Sequence, residues 1–211
     1  MKLLYIMDPL CGWCYGNGNN TMALFETYPQ FDFEIIPAGM WAGQNSRIQS
    51  PQMASYFQKH DLQIARLTGT TFGEAYFDFI GHQEIKLDSE IPSRAIITVQ
   101  ESWKAYNVPF MYAVQQARYL YGKDLNLEET YLNICDQLKI DRQAFLEVFH
   151  SEKMHLKTQE SFHNAIQYAS SYPSLLVNDD NHLHLIEQGY SELNEVKEKI
   201  NSLISNHKTN S

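Results

Sequence analysis

Apolar positions in this chain follow two different periods. The run Lys2-Leu-Leu-Tyr-Ile-Met7 is apolar almost throughout, the pattern of a central strand buried on both faces. Asp8-Pro9 ends it. From about Cys11 to Thr27 the spacing is helical, with Met22, Leu24 and Phe25 inward. Gly16-Asn17-Gly18 weakens the early turns of that helix and marks a kink or a close packing. Phe31–Pro37 alternates at first, reads as a second strand and is stopped by its proline. Residues 38–43 follow as a loop.

From about Pro51 to Ser170 the period is helical. Ile91, Ala95, Ile96, Val99 and Trp103 share one helix face, and Pro92 suits its first turn. A further helix runs from near Pro109 to a stop at Gly122, and two more cover Leu127–Lys139 and Arg142–His150. Met154–Ala169 predicts a long helix with Phe162, Ala165, Ile166 and Ala169 inward. Strands return at Ser174–Asn178 and His182–Ile186, joined by a turn at Asp179-Asp180-Asn181 into a hairpin. Leu193, Val196, Ile200, Leu203 and Ile204 mark a terminal helix. The order is βαβ, a helical block, then ββα. It predicts an α/β protein: a thioredoxin fold of residues 1–45 and 171–211, split by an all-helical inserted domain of residues 46–170.

One motif carries chemistry. Cys11-Gly12-Trp13-Cys14 falls at the first strand-to-helix turn. Unpaired N–H groups at a helix N-terminus stabilise an anion, so a thiolate at Cys11 is favoured there. Cys14, one turn on, is near enough to close a disulfide with it. Asp8, three residues before Cys11, opposes a thiolate if the two are close. A structural zinc site needs four protein ligands, and the only other cysteine is Cys135. Covalent haem needs His after the second cysteine, where Tyr15 stands. A purely structural disulfide across so short a loop constrains the unfolded chain little. The motif therefore points to a dithiol redox site, with Cys11 attacking and Cys14 resolving.

Composition narrows the setting. The chain has 211 residues, a net charge of −9 and no basic block, which argues against nucleic acid as a partner. The first apolar run is too short for a signal peptide or a bilayer span, so the expectation is a cytoplasmic protein with no membrane partner. In a reducing compartment a CxxC is catalytic more often than structural.

The matching stretches Asp8-Pro-Leu-Cys-Gly-Trp-Cys14 and Tyr172-Pro-Ser-Leu-Leu-Val177, with the insertion between them, resemble the DsbA-like branch of the thioredoxin superfamily. Pro92-Ser-Arg-Ala-Ile-Ile97 and the helix Leu127–Leu138 also look like their counterparts there. The likeness covers nearly the whole chain and is nearest to the cytoplasmic bacterial predicted protein-disulfide isomerases. It implies a disulfide oxidoreductase or isomerase acting on protein or small-molecule disulfides and thiols. It implies no cofactor beyond the Cys11–Cys14 disulfide, with glutathione as an available thiol donor, and it leaves a homodimer open. It also implies that Pro173 is a cis-proline packed against the cysteines, a substrate-side clamp, with Tyr172 shaping the pocket. The Gly12-Trp13 dipeptide lacks the histidine usual in periplasmic members, which argues against a strong oxidant. Kappa-class glutathione transferases and hydroxychromene-carboxylate isomerases share the split fold but usually carry Ser at the first cysteine's place. A glutathione-dependent isomerase or transferase is the alternative enzyme, and a partner-binding module with a redox-sensitive CxxC the alternative non-enzyme.

Other residues have plainer readings. Trp13 is expected exposed at the helix tip, as part of an aromatic substrate rim; Trp41 joins that rim or the core. Cys135 shares a helix face with Leu132 and Leu138 and reads as a buried, inert thiol. His182 and His184 lie on one side of a strand with no third ligand apparent, so no metal is expected. The seven methionines are scattered and suggest no copper site.

Overall fold

The computed structural model describes residues 1–81, 84–179 and 182–209, with side chains to residue 206. The predicted turn at Asp180-Asn181 lies outside the described residues. Strands β1 (Lys2–Met7), β2 (Asp32–Pro37), β5 (Ser174–Asn178) and β6 (Leu183–Gln188) form one sheet in the order β2-β1-β5-β6. β2 runs parallel to β1, and β5 and β6 continue antiparallel. β1 is central and buried from Leu3 onward, as its unbroken apolar run requires.

Each face of the sheet has its own cover. Leu3, Tyr5 and Met7 share a cluster with Leu24 and Tyr28 and, from α10 (Leu193–Thr209), Val196 and Ile200. On the opposite face Leu4, Ile6, Ile36 and Leu176 meet Ala165 of α9 (Glu152–Tyr168). The first-face cluster runs on without a gap through α5 (Glu90–Ser102), α6 (Asn107–Tyr119), α7 (Glu128–Leu138) and α8 (Arg142–Phe149). Sheet and insertion therefore share a core.

The insertion differs from its all-helical prediction. Besides α3 (Pro51–Thr68) and α4 (Glu74–Gly81) it holds a two-residue ladder, β3 (Arg47–Ile48) against β4 (Lys86–Leu87). Pairs this short have no period for a sequence to show. Ile166 is 78% exposed rather than inward. The buried stripe of α9 runs through Met154, Thr158 and Ala165, and Ile166 stands a hundred-degree step beyond it.

The first helix breaks where the glycines weaken it. α1 (Gly12–Gly16) ends at Asn17, and α2 (Gly18–Thr27) begins afresh. A Cβ on Gly16 would lie 2.5 Å from Ile64 Cγ2, and one on Gly12 would lie 2.4 Å from Asp61 Oδ1, so α3 packs directly on α1. The Asn17 side-chain amide donates to Glu187 Oε2 at 2.9 Å. Glu187 reaches inward because β6 bulges: Leu175 pairs with Glu187 and Leu176 with Leu185, leaving Ile186 extra. Both Ile186 and Glu187 are consequently buried.

The outer edge of β2 is closed by side chains. The Gln100 amide accepts from Ile35 N at 2.7 Å and donates to Ile35 O at 3.1 Å, as a neighbouring strand would. Asn107 Nδ2 donates to Phe33 O at 2.6 Å. At the other edge, Lys199 Nζ donates to Ile186 O at 3.0 Å.

Candidate active site

The turn after β1 is built by Asp8. Its carbonyl accepts from Cys11 N at 3.1 Å, and its Oδ1 accepts from Leu10 N at 2.9 Å. These bonds tighten the chain around Pro9 and deliver Cys11 to the N-cap of α1 in extended conformation, with φ −97° and ψ 114°. The Cys11 sulfur takes the place a capping oxygen would hold: Cys14 N–H donates to it at 3.3 Å.

The two thiols are free and unequal. Cys11 is 8% exposed and borders a cavity, whereas Cys14 has no exposed surface. Burial pushes the Cys14 thiol well above its ordinary range, and its hydrogen bond to Cys11 and the Cys11 charge push it further. Beneath them Asp8 is fully buried. Its Oδ2 accepts from Met40 N at 2.7 Å, and its Oδ1 also accepts from Ser89 Oγ at 2.9 Å. Burial outweighs these donors and lifts the carboxyl to about 6. The Asp8 charge disfavours a thiolate at Cys14. Asp8 thus lies close enough to matter, as the sequence allowed, but it bears on the buried thiol.

Register brings the second loop to the cysteines. Ile6 pairs with Ser174, so Tyr172-Pro173 lies opposite the end of β1. The Tyr172–Pro173 peptide is cis. Tyr172 O accepts from Cys11 Sγ at 3.9 Å. Pro173 is buried and Tyr172 half-buried, its hydroxyl pushed up to about 12 by burial and by the charges of Asp8, Cys11 and Cys14.

On the insertion side a cavity of about 200 Å³ opens beside Cys11, with Trp13, Trp41, Asp61, Arg118 and Tyr119 in its wall. Trp13 is half-buried rather than exposed, because α3 lies over the helix tip and sets His60 edge-on to the indole at 6.0 Å. Trp41 belongs to the rim, half-buried and stacked by Arg47 at 4.7 Å. Asp61 is 4% exposed, accepts from Tyr76 OH at 2.5 Å, and is lifted to about 6 by burial. Sequence reasoning missed Asp61 and Arg118, since both belong to helices whose pairing with the turn has no sequence signature.

No family model matches the chain, and no curated protein matches it. Solved structures do. A candidate protein disulfide isomerase from Nitrosomonas europaea superposes with a TM-score of 0.87 at 24% identity, covering 98% of this chain and all of the other. The chain has a DsbA-like thioredoxin fold with a helical insertion. The cytosolic disulfide reductase DsbM from Pseudomonas aeruginosa gives 0.82 at 23% identity over 97% of this chain and 99% of its own, and has also been solved with glutathione. A 2-hydroxychromene-2-carboxylate isomerase gives 0.67 at 15% identity over the whole of both chains.

Two features of this DsbA-like chain lie away from the dithiol. Cys135 is buried and its thiol is pushed up to about 12 by burial, in keeping with an inert core position. His182 and His184 do have a third potential ligand: Asp179 joins them with ligand atoms all within 4.8 Å of one another. Asp179 Oδ2 lies 2.9 Å from His184 Nε2, and Oδ1 accepts from His182 N at 2.7 Å. The hairpin return supplies that carboxylate, which the strand alternation could not reveal. Among the described residues no helix is long and apolar enough to cross a membrane.

Proposed function

We propose that this protein is a thiol-disulfide oxidoreductase in which Cys11 attacks and Cys14 resolves. The observation that carries the reading is the inequality of the thiols: Cys11 borders a cavity, while Cys14 is sealed above a buried carboxyl. The Cys11 thiolate attacks one sulfur of a substrate disulfide. The S–S bond breaks, and the departing thiolate takes a proton from solvent. Cys14 then passes its proton to the Asp8 carboxylate and attacks Cys11 Sγ; the bond from Cys11 to the substrate sulfur breaks, and that sulfur leaves as a thiolate, which takes its proton from solvent while Asp8 gives its own back to solvent. The substrate gains two electrons and two protons, and Cys11–Cys14 becomes a disulfide, which an external thiol reduces again. Trp13 shares the cavity wall with the nucleophile, Tyr172 O accepts from it, and these two with the adjoining Pro173 are the substrate-side contacts.

The glutathione-bound DsbM structure supports a small thiol as electron donor, and the cytosolic setting of DsbM supports a reductive role in the cytoplasm. Reduction and isomerisation use the same steps. The potential of the Cys11–Cys14 couple, measured against glutathione, separates a reductase or isomerase from an oxidant. The direct test is trapping. Cys14→Ser should accumulate mixed disulfides through Cys11, and Cys11→Ser should accumulate none; trapping through Cys14 alone would reverse the assignment.

The likeness to the chromene-carboxylate isomerase supports the alternative of glutathione-dependent isomerase or transferase chemistry. That chemistry needs no resolving thiol. Turnover of insulin disulfides beside conjugation of an aryl halide, for wild type and Cys14→Ser, decides between them. Robust conjugation that survives loss of Cys14, with no disulfide turnover, would replace the first reading.

A further inference from the structure

Two arginines are buried in this protein, and only one has its counter-charge. Arg94 is 7% exposed and lies over the Phe149 ring at 4.1 Å. It donates to Glu90 through Nε at 2.9 Å and Nη2 at 3.2 Å, and to Phe149 O through Nη1 at 3.0 Å. That is the ordinary solution for a buried guanidinium. Arg118, in α6, is 3% exposed. It too has aromatic neighbours, with Tyr76, Phe79 and Tyr119 ring centres 5.8, 5.5 and 5.7 Å from Cζ. Yet its Nε is out of solvent contact with no acceptor, and the guanidinium makes no hydrogen bond or ion pair with any described residue. Asp61 feels its charge, but that carboxylate is engaged by the Tyr76 hydroxyl and by no nitrogen of Arg118.

A buried cation without a hydrogen-bonded anion is costly. Here the guanidinium belongs to the wall of a cavity, the one of about 200 Å³ that Arg118 lines together with Cys11, Trp13 and Trp41. We infer that this cavity receives a carboxylate carried by the disulfide that reacts at Cys11, seated on Arg118 as Glu90 is on Arg94. The inference rests on Cys11 as the nucleophile and names the substrate class of that site: small disulfides with a carboxylate on a short chain. The rings of Trp13, Trp41 and Tyr119 cover the carbon chain, and the guanidinium fork fixes its end. The cavity is too small for a folded protein surface.

The test compares three small disulfides with dithiothreitol as reductant: dithiodiglycolate with two carboxylates, bis(hydroxyethyl) disulfide with no charge, and cystamine with two ammonium groups. Each rate is divided by that of dithiothreitol alone. Wild type should favour dithiodiglycolate over the neutral disulfide by about tenfold or more in kcat/KM, the scale of one charge-assisted hydrogen-bonded pair, and should rank cystamine last. Arg118→Met should erase that ratio through KM, and Arg118→Lys should keep part of it; where the methionine variant does not fold, the lysine variant carries the comparison. Insulin turnover should be far less sensitive to Arg118→Met, and an equal loss on insulin would overturn the small-molecule assignment. A second readout needs no turnover. Dithiodiglycolate should quench tryptophan fluorescence in a Cys11→Ser, Cys14→Ser double variant, and should fail to do so once Arg118→Met is added. Turnover of all three disulfides without preference would overturn the carboxylate seat and leave the oxidoreductase standing. If none is turned over while insulin is, the small-molecule assignment is overturned and the oxidoreductase stands; if insulin is not turned over either, the oxidoreductase reading fails, and the quenching alone decides whether the seat exists.

Discussion

Two buried carboxyls flank the dithiol, and they are held in different ways. Asp8 lies beneath Cys14 and Asp61 beside Gly12; both are lifted to about 6 by burial. Asp8 is held largely by main chain, through Leu10 N and Met40 N, with the Ser89 hydroxyl added. Asp61 is held by one side-chain hydroxyl, that of Tyr76, and by the more distant charge of Arg118. The underside of the site is thus fixed by the path of the chain, whereas its front depends on which side chains α3, α4 and α6 present. The proposed chemistry assigns proton handling during resolution to the first flank and choice of substrate to the second.

The heaviest blow removes what both flanks serve. Cys11→Ser should reduce disulfide turnover to the rate of the thiol donor alone, and iodoacetamide should label Cys11 before Cys14 in the wild type. Faster labelling of Cys14 would undo the assignment of inner and outer thiol.

Exchanging the carboxyls one at a time separates the flanks. Asp8→Asn should slow resolution of a mixed disulfide roughly a hundredfold, the usual worth of a positioned proton acceptor. Asp61→Asn should act mainly on KM. Equal effects on resolution would erase the contrast. Stability offers a second measure. Each folded carboxyl titrates near 6 rather than 3.8. Between those values the folded protein holds protons that the unfolded chain has released, so each group lowers stability as pH rises from about 4 to 6, by at most about 3 kcal/mol. Either asparagine variant should flatten the urea-midpoint curve across that window; an unchanged slope would show that the carboxyl ionises normally in the fold.

A smaller effect is expected where α3 meets α1. Gly16→Ala places a methyl group 2.5 Å from Ile64 Cγ2. It should cost about 1–3 kcal/mol by overpacking, read from denaturant midpoints. A neutral result would mean that α3 shifts freely, and with it the front of the site. The smallest change is Tyr76→Phe, which removes the single hydroxyl on Asp61 at a cost of about 1–2 kcal/mol and should steepen the pH dependence near 6. The matching loss on the Asp8 side, Ser89→Ala, leaves two backbone donors in place and should move the pH curve less.

The same asymmetry decides how much was legible in the sequence. The βαβ and ββα flanks were plain because β1, β2 and β5 are long enough for their apolar patterns to show, and β1 and β5 have the predicted ends. The dithiol was plain because Cys11 and Cys14 belong to one turn. Asp8 was visible as a neighbour in sequence, while its burial came from Met40 and Ser89, far along the chain. Trp13 looks exposed from its sequence neighbours because nothing local announces that α3 covers it. Asp61 and Arg118 look like ordinary helix residues until α3 and α6 converge on the turn. Local chemistry is written in neighbouring residues; a cavity wall is written in packing.

The closure of β2 has a consequence for crowded solutions. A sheet edge is a template, and copies that offer one at each side can join without end. In this protein one side already holds a counterfeit strand, since the Gln100 amide answers both backbone groups of Ile35 and Asn107 answers Phe33. An incoming chain would have to evict the half-buried Gln100 amide and the buried Asn107 amide before gaining its first bond. At the opposite side it meets the Lys199 ammonium, which holds Ile186 O. Runaway stacking needs two willing ends, and the β2 side of this sheet is already taken.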